Sequence, residues 1–261
     1  MISLSLITVV YNDCLGLKKT ISSIDRVIKF STKATCIEHV IIDGGSTDGL
    51  IDYLQELKNR KTIFTTVVSE PDDGIYDAMN KGVRCARGQG LVFLNAGDEI
   101  HPECNIDEVL KNLSEAMKRP EEAGLAYCAI MKIGSKEFSV RSREIDRSRP
   151  RMPSIHQAML YKRSVLVAVP FDDSFKICGD YENFARIFSS GLHFRVSGDY
   201  FAVFGAGGVS SKFPRTLFHE SFTVTQKYFK LTTRQKYLAR FRLIISLFVF
   251  QVMLVVYGER K

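Results

Sequence analysis

The sequence predicts an α/β fold in which a mixed, mostly parallel sheet carries helices on both faces, followed by a helical C-terminal segment. Three observations predict it. Four short apolar runs (Ser3 to Tyr11, His39 to Ile42, Phe64 to Val68, Leu91 to Leu94) alternate with three stretches of helical apolar spacing within the first 98 residues. The runs are nearly continuous in apolar character, as strands buried on both faces are. The second and fourth runs stop on Gly/Asp turns, Asp43-Gly44-Gly45 and Asn95-Ala96-Gly97-Asp98. A βαβ series of this kind joins parallel strands through right-handed crossovers.

In order, Leu4, Leu6, Ile7, Val9 and Val10 make the first strand, and Asn12-Asp13 the turn after it. Leu17, Ile21, Ile24, Val27 and Ile28 place an amphipathic helix over Leu15 to Phe30. After His39 to Ile42 comes the turn Asp43 to Gly49, with Asp48 as the expected N-cap of a helix over Leu50 to Lys58. Phe64 to Val68 is the third strand. Ile75, Ala78, Met79, Val83 and Ala86 define the third helix, which Gly88 and Gly90 end before the strand Leu91 to Leu94. Beyond Asp98 the spacing predicts a helix over Asp107 to Lys118. A hairpin of Leu125 to Ile133 and Phe138 to Arg141 turns at Gly134-Ser135, and Asp146 to Pro153 is a charged loop. Ile155 to Tyr161 reads as a short strand and Ser164 to Val169 as a short helix. Tyr181 to Ser189 reads as a helix and His193 to Phe204 as strand, before a Gly/Ser loop over Gly205 to Ser211. The last fifty residues read as helical throughout.

A chain of 261 residues, 45% hydrophobic, suffices for one large domain with an appendage. The six cysteines (14, 36, 85, 104, 128 and 178) form no C-x-x-C pair and no metal-ligand spacing, as in reduced, mostly buried thiols of a reducing compartment. Met1 to Tyr11 lacks a basic stretch and a small-residue cleavage site, so it reads as a strand and not as a secretory signal. The net charge of +7 is uneven. Residues 212–261 hold ten Lys/Arg against Glu220 and Glu259, a net of +8, which leaves −1 for residues 1–211. No aromatic platform or reading helix accompanies the basic residues, which argues against nucleic acid as a partner.

Three carboxylates follow strands or loops: Asp43, Asp98 and Asp180. A carboxylate just past the carboxyl end of a parallel strand lies where open α/β sheets bind ligands, although a solvated surface turn uses the same residues. Asp180 has the form of an N-cap as much as of a chemical group. His156 suits contact with a ligand, or a core histidine. Lys81 suits offset of phosphate charge, or a helix end. Gly207-Gly208 with Ser210 and Ser211 suits backbone donation to a diphosphate, or a flexible turn. No G-x-G-x-x-G follows the first strand and no G-x-x-x-x-G-K-[ST] occurs, so the dinucleotide and P-loop fingerprints are lacking.

Seven segments, in order over residues 3–211, together resemble family 2 glycosyltransferases of the GT-A fold, and within them bacterial polysaccharide-assembly enzymes of the colanic-acid type. They are ITVVYN (Ile7 to Asn12), DGGSTDG (Asp43 to Gly49), SEPDDGIYDAMNKG (Ser69 to Gly82), FLNAGD (Phe93 to Asp98), HQAMLYKRS (His156 to Ser164), GDYENFAR (Gly179 to Arg186) and GGVSS (Gly207 to Ser211). The resemblance implies that Thr8, Tyr11 and Asp43 line the base and ribose of a nucleotide-diphosphate sugar, with Glu70 and Asp72 beside them. It implies that Asp98 holds a divalent cation, Mg²⁺ or Mn²⁺, with the diphosphate oxygens. It implies that Asp180 is the base that deprotonates the acceptor, with inversion at the sugar. The chain departs from the family pattern where Asn95 and Gly97 stand in place of acids, and where Gly179 replaces the Glu before the catalytic Asp. A single carboxylate ligand implies weak metal binding without the nucleotide.

Residues 1–211 are then a nucleotide-sugar-binding and catalytic domain, and residues 212–261 a basic, apolar helical segment. Leu243 to Tyr257 is apolar apart from Ser246 and Gln251. As a helix it spans about 22 Å, short of a ~30 Å hydrocarbon core. It suits an interfacial helix drawn to anionic lipid, or a helix docked on protein. The expected protein is cytoplasmic, peripheral on the inner face of the membrane, and passes sugar to a lipid-linked or oligosaccharide acceptor in surface polysaccharide synthesis. Its rivals are a non-catalytic scaffold of the same fold and a sugar nucleotidyltransferase. The latter wants a Gly-rich basic loop after the first strand, where this chain has Val10-Tyr11-Asn12-Asp13.

Overall fold

A computed structural model describes residues 2–58, 63–145, 151–206 and 214–258. Gly207, Gly208, Ser210 and Ser211 lie outside the described residues. The strands β1 (Leu4–Val10), β2 (Ile37–Asp43), β3 (Phe64–Ser69) and β4 (Gly90–Phe93) run parallel in the order β3-β2-β1-β4. They are linked by α1 (Cys14–Ile28), α2 (Leu50–Lys58) and α3 (Ile75–Cys85). Successive β1 residues face opposite layers. Leu4 and Leu6 pack with Ile24, Val27 and Ile28 of α1, whereas Ile7 and Val9 pack with Tyr76, Met79 and Val83 of α3. Full burial of every β1 and β2 residue explains the continuous apolar runs.

Beyond β4 the sheet continues β8-β6-β9-β5. β8 (Met159–Lys162) lies antiparallel between β4 and β6 (Glu122–Ile133). β9 (His193–Gly205) is parallel to β6 and antiparallel to β5 (Glu99–Ile100), and β7 (Lys136–Val140) forms the hairpin with β6. The remaining helices are α4 (Ile106–Met117), α5 (Arg163–Ala168), α6 (Gly179–Ser189), α7 (Pro214–Tyr228) and α8 (Thr233–Tyr257).

Four local expectations are corrected. Helix α4 starts one residue early because the Asn105 side chain accepts from the Glu108 N–H at 3.2 Å. The stretch Ile155 to Tyr161 opens as a 3₁₀ turn over His156–Ala158, closed by Ala158 N–H to Ile155 O at 3.0 Å, before β8 begins. The Asp48 carboxylate accepts from the Cys14 N–H at 2.9 Å, so it serves the start of α1. The C-terminal segment is two helices. The chain breaks where Phe229 enters the core beside α6, and Thr232 with Gln235 forms a capping box on α8.

From β1 the chain builds outward through β2 to β3, then crosses back by α3 to place β4 on the other side of β1. The order reverses between β1 and β4, and a crevice opens beyond their carboxyl ends. Leu94 N–H to Ile7 O (2.9 Å) and Ala96 N–H to Val9 O (3.1 Å) extend the β4 chain along β1 and deliver Asp98 to that crevice.

Candidate active site

The loops after β1, β2 and β3 meet at one end of the crevice. Asn12 donates its N–H to Ser46 Oγ (2.7 Å) and accepts from the Thr47 N–H (2.8 Å). Tyr11 projects from this knot, 66% exposed. A side chain added at Gly44 would begin 2.5 Å from Asp72 Oδ2 and 3.4 Å from Tyr11 Cδ2, so Tyr11 and Asp72 flank one short stretch of bare backbone. An exposed aromatic beside a carboxylate is a surface on which a base stacks and a polar edge is read.

Asp43 lies beneath this surface. It is fully buried, and its carboxylate accepts from the Ser46 N–H (3.1 Å), the Ser46 hydroxyl and the Ser69 hydroxyl (2.6 Å). It orders the loop, and the structure does not bring its oxygens to the surface expected to hold base and ribose. Thr8 departs further from expectation. Strand parity turns it toward α1, where it is fully buried with its hydroxyl 2.9 Å from His39 Nε2. Glu70 and Lys81 pair with each other at 3.1 Å; Lys81 also donates to Pro71 O (2.7 Å) and pairs with Asp77 (3.3 Å). These bonds to Glu70 and Asp77 outweigh burial and hold the Lys81 pKa above its ordinary value. Lys81 closes the loop from Glu70 to Asp77 inside α3 and does not end that helix.

The wide part of the crevice is a cleft of about 1700 Å³ lined by Asn95, Gly97, Asp98, His156, Gln157 and Asp180, among others. Asp98 is 7% exposed and accepts from Asn95 N–H (3.1 Å) and Gln157 Nε2 (3.2 Å). Burial pushes its pKa up to about 7 against the pull of those two donors and of Lys19. Gly97 sits at φ +93°, a left-handed conformation that explains why the turn carries glycine where an acid is expected. His156 stacks on Phe93, ring centroids 5.0 Å apart, and burial lowers its pKa to about 4, so it is neutral at pH 7. Both its ring nitrogens, and the Asn95 side-chain oxygen, are buried without a hydrogen-bond partner. Buried polar groups usually have a partner, so these three atoms keep hydrogen-bonding capacity that the described residues do not use.

Asp180 also lines the cleft, as the second residue of α6; the helix N-cap is Cys178, so the capping reading does not apply. Its Oδ1 accepts from the Tyr181 N–H (2.8 Å) and lies 3.4 Å from the Tyr76 hydroxyl. Burial pushes its pKa up to about 6 despite those donors. Tyr76 also donates to Ile177 O at 2.6 Å, and its ring lies 2.7 Å from where a Gly179 side chain would begin. The missing Glu of the family pattern is thus explained: the Tyr76 ring fills its place. Glu220 of α7 accepts the backbone N–H groups of Lys176 (3.0 Å), Ile177 (3.0 Å) and Cys178 (2.8 Å).

Sequence reasoning assigned no role to Tyr76, Gln157 or Glu220. Tyr76 had a signal, an aromatic beside the apolar row of α3. Glu220 had none beyond being one of two acids among ten cations. Glu220→Ala is expected to destabilise the fold by about 1–3 kcal/mol, since three N–H groups lose a charged acceptor. Urea unfolding of the variant against wild type checks this; equal midpoints and slopes would show the contact to be idle.

The mixed sheet, with a crevice at its switch point, defines a GT-A fold. The profile of glycosyl transferase family 2 matches residues 5–173. The chain belongs to that family. It is 31% identical over 189 residues to an uncharacterised glycosyltransferase of Mycobacterium tuberculosis, covering 70% of this chain and 68% of the relative. A PGL/p-HBAD biosynthesis glycosyltransferase of Mycobacterium bovis is 27% identical over 161 residues, 60% of this chain and 61% of that one. Among solved structures, a mannosyltransferase of Pyrobaculum calidifontis in complex with GDP-Man and Mn²⁺ superposes with a TM-score of 0.63 at 14% identity, covering 97% of this chain and 73% of that one. S. aureus TarS residues 1–349 in complex with UDP gives 0.59 at 14% identity, covering 95% and 72%. Asp180 lies beyond the segment that the family profile matches.

Proposed function

We propose that this protein transfers a sugar, with inversion, from a nucleotide diphosphate to a hydroxyl of a lipid-linked glycan during surface polysaccharide synthesis, at the inner face of the cytoplasmic membrane. The observation that supports this reading most is that Asp98 and Asp180 line one cleft, while Tyr11 and Asp72 follow the carboxyl ends of β1 and β3 on the same edge of the sheet. The nucleotide lies over Tyr11 and Asp72, with its diphosphate toward Asp98. Residues 1–211 carry donor binding and the base, and residues 212–261 the remaining wall of the cleft.

Asp180 removes the proton of the acceptor hydroxyl as that oxygen attacks the anomeric carbon from the side opposite the diphosphate. Tyr76 and Glu220 hold the loop that carries it. His156, neutral and unpartnered, donates or accepts one hydrogen bond to the sugar or phosphate. A divalent cation fits beside Asp98, whose carboxylate and the orphaned Asn95 oxygen are hard donors. Among the described residues no group of three or more His, Cys, Asp or Glu can hold a metal, so the diphosphate oxygens would complete the shell. Such a cation offsets the charge of the leaving diphosphate. The complexes of the two structural neighbours, with GDP-Man and Mn²⁺ and with UDP, support this donor class.

Two expectations follow from the site. One base among UDP, GDP, dTDP and CMP, tested with and without Mn²⁺, is expected to raise Tm. At about 100 times its Kd the ligand adds roughly 2.7 kcal/mol of stability. No shift with any nucleotide, in protein shown to be folded, would remove the transferase reading. The kcat/KM profile is also expected to fall below about pH 6, since the base must be unprotonated and its pKa stands near 6. A profile flat from pH 7 to pH 5 would exclude Asp180 as base.

A further inference from the structure

Helix α8 has two apolar sides that face different surroundings. Ala239, Leu243, Ser246, Phe250 and Leu254 line the catalytic cleft. On the opposite side Phe241, Ile245, Phe248, Val252 and Val255 form a stripe at helical spacing, 43–77% exposed among the described residues. No residue of α8 is buried, although an 18-residue window of it has a mean hydropathy of 2.0. An exposed apolar surface of this extent needs a partner.

Length and composition alone would let α8 cross a bilayer. Its seating argues otherwise. Arg240 lies over the rings of Phe218 and Phe222 of α7, 6.0 and 5.6 Å from their centroids, and Tyr257 lies 5.9 Å from Phe138 of β7. The helix is held at both ends along the body, and its cleft side runs from Ala239 to Gly258, so it lies flat. Charge selects among occupants of the outer side. Arg234 and Lys236 open α8, which has no acidic residue, while Arg240 lies on α7 and Arg242 lines the cleft. An anionic lipid surface complements an apolar stripe that opens on cations and carries no acid.

We infer that the outward stripe of α8 docks on an anionic lipid surface while its inner side walls the catalytic cleft. The membrane contact and the path of the acceptor to Asp180 are then two sides of one helix; the second clause rests on the transferase reading above, the first does not.

The chain contains no tryptophan, so single tryptophans can report on each side. Full-length Phe248→Trp and Phe250→Trp proteins are mixed with vesicles of phosphatidylcholine, with or without phosphatidylglycerol, carrying brominated acyl chains. The Phe248→Trp emission is expected to move to the blue and to fall by roughly half or more on phosphatidylglycerol vesicles, and much less on phosphatidylcholine alone. The Phe250→Trp emission is expected to stay unquenched. Equal quenching of both would mean that α8 leaves the cleft and inserts, which overturns the inference. So would quenching of neither, or a dimer in sedimentation that shields Phe248→Trp from vesicles. Nucleotide thermal shifts of the same proteins separate the two readings. A shift without quenching removes the lipid surface alone, and quenching without a shift removes the transferase reading alone.

Discussion

Asp180→Asn is expected to lower kcat by about 10²- to 10⁴-fold, the range for loss of a positioned general base. The substitution keeps the shape of the side chain and an oxygen that accepts the Tyr181 N–H, now 2.8 Å from Asp180 Oδ1. What it removes is the ability to take a proton near neutral pH. Since Asp180 shares no contact with Tyr11 or Asp72 among the described residues, nucleotide binding should be unchanged, and the loss should fall on kcat. Nucleotide release in the steady state gives kcat, and the thermal shift gives binding. A kcat within about threefold of wild type would place the base elsewhere.

Asp98→Asn is expected to act in two opposite directions. Without ligand it should stabilise the fold at alkaline pH. The folded chain holds the Asp98 proton up to about pH 7, whereas an unfolded Asp releases it near its ordinary value of 3.8. The sign follows from which state binds the proton more tightly. The contribution is fully present below about pH 4 and is lost as pH rises through 7, reaching up to about 4 kcal/mol against the fold above that. Between pH 5 and pH 8 the wild type should lose about 2–3 kcal/mol from this group, and the Asn variant should not. Urea unfolding at both pH values checks this. If the two proteins respond to pH alike, Asp98 is not held protonated by its burial. With ligand the order should reverse, because the amide of the variant offers no charge to a cation, and the Mn²⁺-dependent part of the nucleotide shift should vanish. A buried carboxylate that costs stability until a cation and a diphosphate arrive is the trade expected of a binding group.

Much of the fold was legible in the chain. Continuous apolar runs marked β1 to β4 because both faces of those strands are buried, and helical spacing marked α1, α3 and α4 because each covers one side of the sheet. The candidate site was legible where it depends on position along a strand. Asp98 lies five residues past the end of β4, in the turn Asn95 to Asp98 that closes the run. It was not legible where it depends on which way a strand residue points or on what has already claimed a polar group. Thr8 and Asp43 look alike in the sequence as polar groups of β1 and β2, yet one faces α1 and the other is taken by Ser46 and Ser69.

The sequence by itself determined the alternation of the first four strands with three helices, and the family, since these follow from local periodicity and short contiguous motifs. Only the tertiary structure decided that Tyr76 and Glu220, 144 positions apart, both hold the loop before Asp180. It also decided that α8 lies along the cleft with two unlike sides. These depend on packing between segments distant in the chain, where burial and the demand that every buried donor find an acceptor select one arrangement among many that the same local pattern allows.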